Sequence, residues 1–165
     1  MSVDPLDLIF QEHERQEDMC QVLEQIADSL PHGFDRDVVS KVVSYLECDL
    51  VLHIRDEEDG LFPLLEIRGF PEDNLDEILA QLALEHATDE CFAYELVESL
   101  EVLARGERPK EPNTLGYMLR ACFESHRRHL AWENTVVLPL ARKRLTPADL
   151  QHLTHVMLTH RNELR

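Results

Sequence analysis

Glycine is scarce in this chain, at 5 of 165 residues. Charged residues, by contrast, make up 30%. That balance speaks against a β-sandwich and for a helical protein. Long apolar runs are also missing, and nothing approaches the roughly 20 residues of a membrane span. The start, Met1-Ser-Val-Asp-Pro5, has no basic stretch followed by an apolar one, so it does not read as a secretory signal and a cytoplasmic location is the default expectation. The four cysteines, Cys20, Cys48, Cys91 and Cys122, form no C-x-x-C pair. They read as reduced thiols, small hydrophobes at or near packed helix faces. A basic surplus is lacking too. The formal net charge is −17, which excludes the footprint needed for nucleic acid and would be relieved in part by bound cations. No phosphate loop, dinucleotide fingerprint or nucleophile–base triad is present, so no substrate is named and catalysis stays unassigned.

What remains is amphipathic helix. With 44% hydrophobic residues and the length of one ordinary domain, the chain has enough apolar surface for a core, and 1–165 reads as a single domain. Asp4-Pro5-Leu-Asp7 opens a first helix with a cap, a proline at the first position and an acid in the first turn. Its stripe runs Ile9, His13, Cys20, Leu23, Ala27, Leu30, and Pro31-His-Gly33 ends it. Asp35 caps a second helix with the stripe Val39, Val42, Leu46, Leu50, His53, Glu57, Leu61, Leu64, closed by Arg68-Gly69-Phe-Pro71. Gly60 and Pro63 inside it should bend or locally end it. A third helix spans about 74–104 with Leu75, Leu79, Leu82, His86, Ala93, Val97 and Leu100, followed by a loop over 105–113. A fourth spans about 114–144 with Leu115, Leu119, Cys122, His126, His129, Glu133, Val137 and Leu140, interrupted by Pro139. Thr146-Pro147 starts a short fifth helix. The expected fold is all-α: an antiparallel up-down-up-down four-helix bundle with a short C-terminal fifth helix.

The two halves repeat. His13, His53-x-x-x-Glu57 and Pro63 are answered by His86, His129-x-x-x-Glu133 and Pro139. Glutamate and proline are six residues apart in both halves, and the paired histidines are 40 and 43 apart. On a helix, positions i and i+4 share a face, so each helix turns one histidine inward and the second and fourth add a carboxylate each. A single histidine on an apolar stripe is ordinarily a hydrogen-bonded core residue, and H-x-x-x-E pairs arise by chance in a glutamate-rich chain. Here four helices do it in register. Without a counter-charge, four imidazoles and two carboxylates in an apolar core would cost several kcal/mol each. Imidazole with carboxylate is a donor set for iron, manganese or zinc, and bundles hold dinuclear iron or manganese by this means. The metal ligands expected are His13, His53, Glu57, His86, His129 and Glu133. Weaker candidates are His126, one turn before His129, and Glu17 and Glu90, four residues after His13 and His86. Glu58 is rotated about 100° from Glu57 and reads as solvated or as a support to a ligand. His32, His152, His155 and His160 read as exposed or at the bundle surface.

From His13 to the last helix the chain resembles the hemerythrin-like family, also called the HHE cation-binding domain. The resemblance is carried by His53-x-x-x-Glu57-Glu58-x-x-Leu-Phe-Pro63 and His129-x-x-x-Glu133-x-x-x-x-Leu-Pro139-Leu-Ala, with Leu145-Thr-Pro-Ala-Asp-Leu150 as a secondary match. It implies an antiparallel four-helix bundle around a non-haem di-iron centre; two iron ions, with an oxo or hydroxo bridge as an option, are thus the expected cofactor, and manganese or zinc, which the donor set also suits, are lesser alternatives. It assigns terminal roles to the four histidines and bridging roles to Glu57 and Glu133. The oxygen-carrying members have H-x-x-x-H on the third helix, where this chain has His86-x-x-x-Glu90, so reversible oxygen carriage is not the expectation. Many members of the bacterial branch have an aromatic residue where this chain has His126. The reading is a di-iron protein that binds or reacts with a small diatomic ligand or peroxide (oxygen, peroxide or nitric oxide) as sensor, scavenger or detoxifier. The alternative is iron storage or a metal-responsive interaction module without redox turnover; a metal-free helical interaction domain ranks below both. No protein partner is specified.

Overall fold

The computed structural model describes residues 4–163. All regular structure among them is helical, and no helix is long and apolar enough to cross a membrane. Helix α1 is Pro5–Ser29, and Asp4 Oδ1 accepts from the Leu6 N–H at its start. The second rod is built without interruption from α2 (Arg36–Ser44), a π turn at Tyr45–Asp49, α3 (Leu50–Asp56), a π turn at Glu57–Leu61 and α4 (Phe62–Arg68). Asp35 caps it, its Oδ1 accepting from the N–H groups of Asp37 and Val38. Helix α5 is Leu75–Ala104. The fourth rod joins α6 (Pro112–Trp132), a π turn at Glu133–Val137 and α7 (Leu138–Arg144), and α8 is Pro147–Glu163. This helix packing is that of a bundle.

The chain divides into two compact units. One takes residues 4–14, 52–86 and 129–163; the other takes 15–51 and 87–128. Each long rod contributes residues to both units. The first unit is cored by Leu6, Ile9, Leu61, Leu65, Leu82, Val137, Leu138, Ala141, Leu153 and Met157, among others. The second buries Leu23, Val39, Val42, Leu96, Leu100, Leu119 and Phe123. Of the cysteines, Cys20 and Cys122 are buried as expected, while Cys48 and Cys91 are exposed. Burial pushes the Cys20 and Cys122 thiols up to about 12, so neither is a ready thiolate.

The prolines do not end their helices. In each half a π turn opens at the glutamate, with the Phe62 N–H reaching Glu57 O and the Leu138 N–H reaching Glu133 O. Pro63 and Pro139 follow directly. A proline ring collides with the carbonyl four residues back in a regular α-helix, and the wider turn relieves that contact while keeping the helical path. Each π turn inserts a residue and shifts the buried stripe. After Glu133 the core takes Val137, Leu138 and Ala141, with Leu140 only partly buried, rather than the Val137–Leu140 series read from simple periodicity.

Candidate metal centre

All six expected ligands fall in the first unit. They are among its most buried residues: Glu57 and Glu133 are 0% exposed and no histidine of the four exceeds 4%. The π turns at Glu57–Leu61 and Glu133–Val137 each begin at a carboxylate of the set.

The imidazoles are oriented by a ring of acceptors. Glu12 Oε2 lies 3.3 Å from His53 Nδ1, Glu58 Oε1 2.8 Å from His86 Nδ1, Glu85 Oε2 2.9 Å from His129 Nδ1, and Asn134 Oδ1 2.7 Å from His13 Nδ1. Each acceptor is the chain neighbour of a ligand on one helix and serves the histidine of the next. The first rod supports the second, the second supports α5, α5 supports the fourth, and the fourth supports the first. With Nδ1–H donated outward, Nε2 is the atom each ring turns inward, where it can bind a metal ion once it has lost its proton. This is how proteins fix metal-binding imidazoles.

Inside the ring, both carboxylates reach histidines of both halves. Glu57 Oε1 is 3.5 Å from His13 Nε2, and its Oε2 is 3.4 Å from His53 Nε2 and 3.3 Å from His86 Nε2. Glu133 Oε2 is 3.2 Å from His13 Nε2, and its Oε1 is 3.0 Å from His129 Nε2 and 3.8 Å from His86 Nε2. Yet His13 Nε2, His53 Nε2 and all four carboxylate oxygens are fully buried with no hydrogen-bond partner among the described residues. Native proteins rarely leave such atoms unsatisfied. The donors sort into two groups fit to hold one cation each: His13, His53, Glu57 and Glu133; and Glu57, His86, His129 and Glu133. The two glutamates belong to both. Orphaned, converging nitrogen and oxygen donors of this kind fit a pair of metal ions.

In the metal-free protein, protons take the place of those cations. Burial alone would depress His13, but Glu57, Glu133 and Asn134 outweigh it and hold it at about 9. His129 is desolvated in the same way, and Glu133, Glu85 and Glu57 raise it to about 10. His86 moves up as well, Glu57 overcoming its burial. Burial pushes Glu57 the other way from its neighbours, but His53, His13 and His86 together hold its carboxyl well below the usual range.

The weaker candidates lie elsewhere. His126 is in the second unit, where its Nδ1 faces Asp89 Oδ2 at 3.2 Å and its Nε2 faces Gln16 Oε1 at 2.5 Å. Glu17 pairs with Arg127 at 3.1 Å. Glu90 is exposed and lines a cleft with Leu46, Leu50 and Tyr94. None of the three is in either donor group. His160, expected at the surface, is buried, its Nδ1–H donating to Asp56 Oδ1 at 2.8 Å. Sequence periodicity missed Glu12, Glu85 and Asn134. Their signal is adjacency: a polar residue next to a ligand is rotated about 100° from it, toward the neighbouring helix.

Residues 4–141 match the family described as Hemerythrin HHE cation binding domain. No curated protein matches the chain.

Proposed function

Because the chain belongs to the Hemerythrin HHE cation binding domain family, we propose that it holds two iron ions and uses them to bind or react with oxygen, peroxide or nitric oxide. His13 and His53 would hold one ion, His86 and His129 the other, and Glu57 and Glu133 both. One observation carries the reading: buried imidazole Nε2 atoms converge on four carboxylate oxygens that have no hydrogen-bond partner among the described residues. Each donor group offers two histidines and two shared carboxylates. Four donors to each ion would leave a position open to a small added ligand. Such an iron pair, when bound, supplies a redox-active binding position for that ligand.

The chain's own residues do the rest. The acceptor ring holds the imidazole protons on Nδ1, away from the ions. The two glutamates offset the ions' charge at the centre of the site. Phe62 lies parallel to the His86 ring, 5.7 Å between centroids, and Leu61 and Val137, at the ends of the π turns that begin at the two glutamates, are fully buried. Donors this deeply buried favour a small ligand over a bulky organic substrate.

The test is protein expressed with supplemented iron, then the visible spectrum before and after peroxide, azide and nitric oxide. The proposal expects absorption that shifts on each addition. Iron-loaded protein whose spectrum ignores all three points instead to storage or to a metal-responsive module.

A further inference from the structure

The family match ends at residue 141, yet helix α8, which lies beyond it, is tied into the support of one ligand. Local sequence builds α8 firmly. Thr146 and Asp149 cap it reciprocally: the Thr146 N–H and Oγ1–H donate to Asp149 Oδ2 at 2.8 and 2.7 Å, and the Asp149 N–H donates to Thr146 Oγ1 at 3.3 Å. Arg68 holds the same carboxylate through two bonds, of 2.9 and 3.1 Å. Gly60, in the π turn after Glu57, lets the helix approach closely, because a Cβ there would lie 2.8 Å from Leu153 Cδ1.

At its far end α8 places Arg161 between two carboxylates. Arg161 donates to Glu12 Oε1 at 2.6 Å and to Asp56 Oδ2 at 2.7 Å. Its third bond, to Met157 O at 2.8 Å, fixes its own rotamer. Glu12 is the acceptor for His53 Nδ1, and Asp56 is the fully buried residue just before Glu57. Of the three other acceptors in the ring, Asn134 is neutral, Glu58 is 39% exposed at its side chain, and Glu85 is held by Gln81 of its own helix at 3.0 Å. An arginine from α8 thus reaches the His53 acceptor, and it pins the start of the π turn in the same grip.

We propose that Arg161 is a positioning residue for the metal site, acting through Glu12 on His53, so that α8 is a working part of the centre. This rests on the two-metal reading above. A fixed guanidinium holds the Glu12 carboxylate where it accepts the His53 proton, and so holds the His53 lone pair on target. Removing the guanidinium loosens the His13–His53 cation while leaving the His86–His129 cation its own supports.

The experiment titrates metal-free protein with ferrous ion, without oxygen, against a competing chelator, for the native chain and for Arg161→Ala, Arg161→Lys, Glu12→Gln and Arg68→Ala. Thermal unfolding of each metal-free protein runs alongside. The proposal expects two binding steps in the native chain. Arg161→Ala should weaken one of them by about 10- to 100-fold, the cost of losing a ligand's outer partner, and Arg161→Lys should recover part of that. Arg68→Ala removes an anchor at the opposite end of α8 and should leave both steps in place. If Arg161→Ala does not fold, Glu12→Gln carries the test and should weaken the same step. Two unchanged steps in Arg161→Ala or Glu12→Gln would overturn the proposal. So would an equal loss in Arg68→Ala, which would reduce Arg161 to general helix docking. A native chain that binds no ferrous ion would instead overturn the two-metal reading itself.

Discussion

The Nε2 atoms of His86 and His129 stand 3.1 Å apart, while the Nδ1 of each is 2.8 or 2.9 Å from a glutamate oxygen. If both rings donate from Nδ1, two lone pairs face each other across that gap. Such an arrangement needs a cation between or beside them, a proton in the metal-free protein or a metal ion in the loaded one. His13 and His53 repeat the theme edge-on, with ring centroids 5.0 Å apart.

Removing one histidine should therefore cost one cation, and removing a shared glutamate should cost both. His129→Ala or His53→Ala is expected to retain about half the metal of the native chain. Glu57→Ala and Glu133→Ala should retain almost none, since both glutamates serve both donor groups. Metal analysis of the purified variants checks this.

Protons and metal compete for the same imidazoles, so metal affinity should rise with pH. In the metal-free protein His13 and His129 titrate near 9 and 10, against an ordinary 6.5. Groups with raised folded values stabilise the fold fully below the ordinary value, and that contribution is lost as pH climbs through the folded one. Metal-free protein should thus lose stability between about pH 6.5 and 10, a window set by those two shifts. Metal-loaded protein should not show that loss. Denaturant unfolding at a series of pH values, with and without metal, separates the two.

Metal should also stabilise by mass action. A cation present at 1,000 times its dissociation constant adds about 4 kcal/mol. Chelation of the native protein should lower its unfolding midpoint, whereas the same chelator should leave Glu57→Ala unchanged. A calorimetric scan of both proteins reads the difference.

The α8 cap has its own pH signature. The Arg68 guanidinium, with Thr146, holds the Asp149 carboxyl well below its ordinary 3.8. A carboxyl depressed in the fold contributes in full above its ordinary value, and the contribution shrinks as pH falls further. Asp149→Asn should therefore be less stable than the native chain at neutral pH, with the gap closing under acid. Thermal melts at pH 7 and pH 3 provide the comparison.

Much of this was legible in the sequence, for physical reasons. Asp4-Pro5, Asp35 and Thr146-Pro147 announce helix starts because orphan N–H groups need such caps. The six donors stand out because the helical period puts them on apolar stripes, where an unpaired charge is costly. The π turns were half legible. Pro63 and Pro139 demanded some local change, but the extra residue that moves Leu138 and Ala141 into the core cannot be counted from periodicity, and the π turn at Tyr45–Asp49 has no proline to mark it. Of the acceptor ring only Glu58 was anticipated, as a support to a ligand; the parts played by Glu12, Glu85 and Asn134 and the burial of His160 were not. They depend on which helix lies beside which, and on where α8 docks.

Metal content per chain is the most direct measure of the central claim. Protein from iron-supplemented cells, purified without chelator and analysed by elemental mass spectrometry, should carry two metal ions per chain, and Glu57→Ala prepared identically should carry almost none. A folded native protein that carries none, or a Glu57→Ala variant that carries as much as the native chain, would contradict it.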